Sequence, residues 1–501
     1  MIRRLYSWLM WLAQPLLRRK LLRRSVMEPG YGQCVEERFG RYAQRVPEHD
    51  GPTVWLHAVS LGETRAAAVL VAALRQQLPH MRLLLTHGTA TGRAEGLKLL
   101  QSGDLQTWQP WDTPGAVRRF LSHFKPDLGI LMETEVWPNL AHGCQRLGVP
   151  LVLVNARLSD KSLRQAQRLA WLARPAFAAL RAVWAQTPQD AQRLRLLGAR
   201  VQGVLGNLKF DAAPNAEPLA LGRQWRAQVP KPVLMFASSR EGEELALLQI
   251  LRQARSHRPE GGPPTEEEAT TGSNTTTGSE TPAWNATPVG AAPSPRLPQS
   301  PSAVGFPVGA APSPRLPPIP SASVIPDPQA VQWLIVPRHP QRFDDVAKLI
   351  ESHGFAVQRR SNWGQGGPAT LADEKPVIWL GDSLGEMALY YGLADVALLG
   401  GSFEPLGGQN LIEAAACGCP VVMGPHTFNF LDAAEQAQAA GAALRVVDLA
   451  QAVAVAGALC FDRPHLDAVR QAAKRFAQAH QGAARRLADV LVGEISHGGS
   501  L

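Results

Sequence analysis

The stretch 398–430, LLGGSFEPLGGQNLIEAAACGCPVVMGPHTFNF, has an order that few folds accommodate. An apolar run at 395–399 ends at Gly400 and Gly401, and Gly407 and Gly408 keep the next loop open. Residues 410–417 then place Leu411, Ile412, Ala415 and Ala416 on one side of a helix. Gly418 stops that helix before a second apolar run at 420–423. Strand, glycine-rich loop, helix, strand is the unit of a parallel α/β sheet. Such a loop sets backbone N–H groups and a helix N-terminus before an anion, usually a phosphate. Glu413, one turn into the helix, is placed to hold sugar hydroxyls beside it. The pattern reads as a nucleotide-sugar donor site or, without a ligand, as an ordinary strand–loop–helix unit.

A chain of 501 residues, 45% apolar, has room for two or three domains with sizeable cores. Its 51 Lys and Arg against 42 Asp and Glu give a formal charge of +9. That balance suits an anionic partner: membrane lipid, nucleic acid or a phosphorylated substrate. Cysteines at 34, 144, 417, 419 and 460 form no C-x-x-C pair, so neither a disulfide framework nor a zinc site is expected. Free thiols fit a reducing compartment.

The chain opens MIRRLYSWLMWLAQPLLRRKLLRRSVM. The apolar run 5–17 is shorter than the roughly 20 residues that cross a bilayer, and Gln14 and Pro15 interrupt it. Arg3 and Arg4 precede it, and Arg18, Arg19, Lys20, Arg23 and Arg24 follow. No small-residue cleavage site marks a signal peptide. Basic residues around Trp8, Trp11 and several leucines fit a helix lying in an anionic membrane surface, with a basic surface helix as the alternative.

Strand-like runs at 53–57, 82–86, 127–132, 151–155, 183–186 and 201–205 alternate with helical segments, the pattern of a parallel α/β domain. In such a sheet the C-terminal strand ends carry the site. Glu63, Glu133, Asn155 and Lys209 all fall at or just after such ends, on four separate units. Alone, each reads as a solvated charge or a helix cap; their shared position points to chemistry. A second α/β unit begins at 232–238, with a helix at 241–253 and a strand at 333–336 closed by Pro337 and Arg338. Between them, residues 257–329 are dense in Pro, Gly, Ser, Thr and Ala, and PVGAAPSPRLP occurs twice. This composition buries too little apolar surface to order itself and is read as a disordered surface-loop insertion. Residues 377–380 form a further strand before GDSLGEM, and the tail 449–492 is mostly helical.

No G-x-x-x-x-G-K-[ST] loop, G-x-S-x-G elbow or helical histidine pair is present. Nucleic-acid binding rests only on charge, which concentrates at the N-terminus rather than along an aromatic-studded face. What remains is a cleft between an acidic half and a nucleotide-like half, suited to group transfer.

The motifs HAVSLGET (57–64), ETEVWPN (133–139), NARLSDKS (155–162), GNLKFD (206–211), PRHPQRF (337–343), GDSLGEM (381–387) and GGSFEPLGGQN…GPHTFNF (400–430) carry a resemblance to the 3-deoxy-D-manno-octulosonic acid (Kdo) transferases of lipid A assembly. It covers nearly the whole chain except 257–329. The resemblance implies an α/β protein with two facing Rossmann-like domains of GT-B type, divided as 1–27 membrane-associated helix, 28–212 acceptor domain, 213–230 linker, 231–448 donor domain and 449–501 helical segment. It implies an inverting glycosyltransferase moving Kdo from CMP-Kdo to a lipid A precursor, at the cytoplasmic face of a bacterial inner membrane. Glu63 comes over as the general base, and Glu133 and Lys209 as groups that stabilise the transition state. Pro337, Arg338, Leu384, Gly385, Glu386, Asn410, Leu411, Ile412 and Glu413 come over as the CMP site. No cofactor or metal and no obligate protein partner is expected. Gln409 and Leu411 depart from the histidine and proline usual around the asparagine, and the basic residue common near Leu406 is missing. A nucleotide-sugar epimerase, another two-domain glycosyltransferase, and a membrane-attached scaffold on a decayed transferase fold are the other readings.

Overall fold

The computed structural model describes residues 2–256, 325–368 and 376–498. Two parallel seven-stranded sheets account for the strands. The first comprises β1 (Thr53–His57), β2 (Arg82–His87), β3 (Leu105–Trp108), β4 (Leu128–Met132), β5 (Leu151–Ala156), β6 (Ala182–Ala185) and β7 (Val201–Val204), in spatial order 3-2-1-4-5-6-7. The second comprises β8 (Val233–Ser239), β9 (Gln332–Pro337), β10 (Ala356–Arg359), β11 (Val377–Leu380), β12 (Val396–Leu399), β13 (Val421–Met423) and β14 (Ala443–Arg445), in order 10-11-9-8-12-13-14. Central strands such as β1, β4 and β8 are apolar and buried on both faces, because helices cover both sides of a parallel sheet. The sequence reading passed over β3, β10 and β14. Each borders or lies near a sheet edge, is only three or four residues long, and carries polar residues that break the apolar run.

Strand order reverses at β1/β4 in the first sheet and at β8/β12 in the second. Those are the points where an open α/β sheet leaves a crevice at its strand C-termini. The two halves face each other there, the charge of Arg65 in the first reaching Glu413 in the second, and beside them a cavity of about 170 Å³ is lined by Arg157, Asp190 and Lys209 from one half and Phe428, Phe430 and Asp432 from the other.

The halves are stitched together in two places. Residues 213–230 are not a plain linker: the helix Ala216–Gln228 occupies most of them and packs on the helix Met387–Leu393 of the second half. The two backbones approach so closely that a Cβ on Gly222 would meet Leu389 O at 2.1 Å. The tail is helical as expected, but its last helix, Ala483–Gly498, crosses back and buries Ala483, Leu487 and Leu491 in the core of the first half. Asp211 accepts hydrogen bonds from Gly482 N and Ala484 N, anchoring that helix start beside the GNLKFD loop.

The N-terminal segment forms two helices, Ile2–Leu12 and Gln14–Met27, and among the described residues no helix is long and apolar enough to cross a membrane. The first is inside out. Arg3 and Ser7 both donate to Asn139 Oδ1, at 3.1 and 3.0 Å, whereas Leu5, Trp8, Leu9, Trp11 and Leu12 point outward, Trp8 being 64% exposed. Not all flanking cations are available to an outside partner. Arg18 pairs with Glu36 at 2.7 Å and caps the Phe39 ring, and Arg24 lies over Tyr31. The insertion expected at 257–329 lies outside the described residues as far as 324; of the remainder, Ile325 packs on the core of the second half.

Candidate active site

Glu63 occupies the first turn of the helix Leu61–Gln77, which starts at the C-terminal end of β1. The N-cap Ser60 accepts from Glu63 N at 3.4 Å and donates from its hydroxyl to Glu63 Oε1 at 3.1 Å. Glu63 Oε2 takes the Val59 N–H at 2.9 Å. This is a capping box extended by one residue, and it fixes the carboxylate without neutralising it. Burial, with the neighbouring Glu133 and Glu135 carboxylates, pushes the Glu63 pKa up to about 7. A carboxylic acid tuned to that range is a competent proton acceptor near neutrality.

Glu133 follows β4 directly, in the left-handed region at φ 55°. Asn155, the last but one residue of β5, is also left-handed, at φ 50°. Non-glycine residues pay for that conformation, so its recurrence at adjacent strand ends marks a functional rim. Asn155 Oδ1 accepts from Leu208 N at 3.1 Å. That bond fixes the short 3₁₀ segment Leu208–Asp211 so that Lys209 Nζ reaches Glu133 Oε1 at 3.2 Å. Lys209 Nζ also lies 5.6 Å from the Phe430 ring of the second half, so the ion pair sits on the cleft itself.

Across the cleft, β9 ends at the buried Pro337, and Arg338 N donates to Ser239 O at 3.0 Å. The Arg338 side chain is exposed and has no ion-pair partner among the described residues. Asn410 caps the helix Leu411–Cys417, its Oδ1 accepting from Ile412 N at 3.1 Å. Glu413 is half-buried; burial raises its pKa, opposed by the charges of Arg65 and Arg338. Arg65 stands two residues after Glu63, so one helix turn carries both Glu63 and a charge that reaches Glu413 of the second half.

Not every residue expected in the donor site turns its side chain to the cleft. Leu411 and Ile412 are 1% and 2% exposed and belong to the core. They can offer a ligand only backbone amides, and Ile412 N–H is already used by the cap. Glu386 is occupied, accepting from Arg360 Nη2 at 2.8 Å and from the Ser383 hydroxyl. Leu384 is 74% exposed beside Gly385, which has φ +81°.

Sequence reasoning missed the struts behind these loops. Glu243, 1% exposed, accepts from Gly401 N at 2.8 Å and from Arg240 N at 2.9 Å, holding the glycine-rich loop. Glu244, fully buried, takes both Arg342 Nη atoms at 2.8 and 3.0 Å and fixes the turn after Arg338. Both follow the C-terminal end of β8, so the strand-end rule applied to the first half would have found them in the second. Gly407, at φ +91°, lies where a Cβ would strike Asn429 and Phe428, which explains a glycine in the loop facing Lys209.

A family model for "3-Deoxy-D-manno-octulosonic-acid transferase (kdotransferase)" matches residues 33–212, the part holding Glu63, Glu133, Asn155 and Lys209. A 3-deoxy-D-manno-octulosonic acid transferase of Bordetella pertussis is 42% identical over 460 residues, covering 91% of this chain and 90% of that protein. This chain belongs to the Kdo transferase family. Another member, from Haemophilus influenzae, is 29% identical over 494 residues, covering 97% of both chains. A putative UDP-N-acetylglucosamine 2-epimerase of Listeria monocytogenes superposes with a TM-score of 0.50 at 12% identity, over 89% of this chain and 98% of that one. That likeness is one of fold alone. It shows why two facing Rossmann-like domains could not by themselves separate a transferase from an epimerase, a separation the Kdo transferase relatives supply.

Proposed function

We propose that this Kdo transferase moves Kdo from CMP-Kdo onto a hydroxyl of a lipid A precursor with inversion at the anomeric carbon. One observation carries this: the helix turn that holds Glu63, whose pKa is pushed up to about 7, also holds Arg65, whose charge reaches Glu413 of the second half together with that of Arg338. Glu63 takes the proton of the acceptor hydroxyl as its oxygen attacks, which turns a poor nucleophile into a good one. One base and one displacement invert the anomeric centre. The C–O bond to CMP breaks, and Arg338 with the amides of the glycine-rich loop receives the charge that grows on the leaving phosphate, with no metal ion required. Glu413 holds the ribose hydroxyls. The Lys209 ammonium, oriented by Glu133, meets negative charge on the transferring sugar.

The outward apolar face of Ile2–Leu12 supports attachment to a membrane surface, where a lipid acceptor resides. A helix that turns its hydrogen-bonding side to the protein and its tryptophans to the outside presents the kind of apolar patch that marks a membrane or partner surface. Arg4, Arg19, Lys20 and Arg23, which have no ion pair among the described residues, favour an anionic leaflet. The test is CMP release from CMP-Kdo by purified protein, with and without a tetra-acylated lipid A precursor. Release that depends on the acceptor supports the proposal; release indifferent to it contradicts it.

A further inference from the structure

The helix Pro138–Leu147, which follows the ETEVWPN loop, starts without a cap of its own: Trp137 stands at the N-cap position and its side chain accepts nothing there. Asp112, from the loop after β3, takes that place. Its carboxylate accepts from Asn139 N at 3.0 Å and from Leu140 N at 2.8 Å, an anion at the positive end of a helix. Asp112 and Asn139 are 3% and 2% exposed, and Asp112 has no ion pair among the described residues. The inner face of the helix Ile2–Leu12 covers both. Arg3 Nη1 donates to Asn139 Oδ1 at 3.1 Å, and the Arg3 charge favours the Asp112 carboxylate. The Tyr6 hydroxyl faces that carboxylate, and burial beside it pushes the phenol above its usual range, so Tyr6 stays a donor. Asn139 closes the set, its Nδ2 donating to Asp112 O at 2.7 Å. A short loop, 133–137, is all that lies between β4 and Pro138. Within it Glu135 accepts from Trp137 Nε1 at 3.0 Å, and Glu133 and Glu135 both act by charge on Glu63.

We infer that Arg3 and Tyr6 are positioning residues for transfer: from the inner face of the first helix they fix Asp112 and Asn139, and through them the start of the helix after the ETEVWPN loop and the stance of Glu133 and Glu135 beside Glu63. A loop pinned at both ends passes a shift at Pro138 to the carboxylates within it. Glu133 is tied to the sheet by its backbone, its N–H donating to Val154 O at 3.2 Å and its carbonyl accepting from Arg157 N at 3.3 Å. Glu135 lies nearer the helix start, so it is the acid that moves most. A displacement of about 1 Å at a reacting centre can cost about a hundredfold in rate, so a contact distant from the chemistry can still set kcat. The first helix then has two faces with two tasks. Leu5, Trp8 and Trp11 look outward, while Arg3, Tyr6 and Ser7 share the inward side at helical spacing. The inference rests on the proposed part of Glu63 and its neighbours in transfer, but the contact itself is tested without turnover.

The triple substitution Arg3→Met, Tyr6→Phe and Ser7→Ala removes the inward donors and leaves the outward face as it is. Transfer from CMP-Kdo is measured to a tetra-acylated lipid A precursor dispersed in detergent, where attachment to a bilayer plays no part. The expected result is a fall in kcat of about tenfold with CMP-Kdo affinity unchanged. An unchanged kcat, a loss seen only when the acceptor is carried in vesicles, or a matching loss of donor affinity overturns the inference. The second measurement needs no turnover: amide hydrogen exchange is followed in the unliganded protein. Exchange faster by about tenfold or more at Asn139 and Leu140, with β4 and β5 exchanging as before, supports the inference. Unchanged exchange over 133–140, or faster exchange throughout the first half, overturns it. Should the unsubstituted protein transfer no Kdo, the proposed function fails, and exchange alone decides whether the first helix holds the loop.

Discussion

Lys209 Nζ stands 3.2 Å from the Glu133 carboxylate, at the tip of a loop that Asn155 holds in place. The pair is partly exposed, so its contribution to stability is small; its use lies in aiming a cation at the cleft. Three strand ends are needed for that one geometry: β4 supplies the acid, β5 the asparagine and the segment after β7 the lysine.

Lys209→Ala is expected to lower kcat by about 10²-fold, the usual cost of removing one charge-stabilising donor, with little change in CMP-Kdo affinity. Asn155→Ala should lower kcat in the same direction but less, because it frees Leu208 N–H and loosens the loop rather than deleting the cation. Steady-state kinetics with donor titration separates the two effects. If either variant weakens donor binding while leaving kcat intact, the pair belongs to the donor site instead.

The pH profile follows from Glu63. Its pKa is raised to about 7, and only the ionised form accepts a proton. The rate should climb about tenfold per pH unit below that value and level off above it. Glu133→Gln removes a nearby negative charge that helps raise the Glu63 pKa, so the rise should move to lower pH even as the maximum rate falls. A profile that stays in place would detach Glu133 from the base.

Arg338→Ala and Glu413→Ala are each expected to weaken CMP-Kdo binding by about ten- to a hundredfold, the worth of a hydrogen bond to a charged group. Acceptor KM should change little. Calorimetry with CMP alone checks this, and unchanged affinity in both variants would place the nucleotide elsewhere.

The alternation of apolar runs and helices gave both halves of the fold, because buried parallel strands are continuous apolar stretches that survive in any one sequence. The strand-end rule gave Glu63, Glu133, Asn155 and Lys209 for the same reason: position at a strand C-terminus is local. What was hidden is non-local. Nothing near residue 483 says that the last helix returns to the first half, since its partners Leu56 and Leu70 lie over four hundred residues away. Arg65 reads as a surface arginine until Glu413 is brought opposite it. The motif around Asn410 fixed the loop, but only burial shows that Leu411 and Ile412 face the core.

The boundary of the proline-rich segment makes a further prediction. Deleting 262–322 should leave the cooperative melt and the activity unchanged, because the segment's composition holds too few apolar residues to add to a core. Extending the deletion through 326 removes Ile325 from the core of the second half and Pro326 from beside Gly457, and should lower the melting temperature. Equal melts for the two deletions would contradict this account of where the core begins.

At the other end of the chain, Leu5→Ser with Trp8→Ser and Trp11→Ser alters only outward side chains and spares the Arg3 and Ser7 bonds to Asn139. The triple variant should float away from anionic vesicles in a sedimentation assay while melting as before. Retention on the vesicles at moderate salt would assign attachment to another surface.

Glu63 is the residue on which transfer is expected to turn. Glu63→Gln preserves the shape of the side chain and an oxygen for the Val59 N–H, so the capping box and the fold should survive. The decisive measurement is Kdo transfer from CMP-Kdo to the tetra-acylated precursor by this variant, with CMP-Kdo affinity measured on the same protein. The prediction is a fall in kcat of about 10²-fold or more with donor affinity nearly unchanged. Turnover within a few-fold of the unsubstituted protein would show that Glu63 only caps its helix and that the base lies elsewhere.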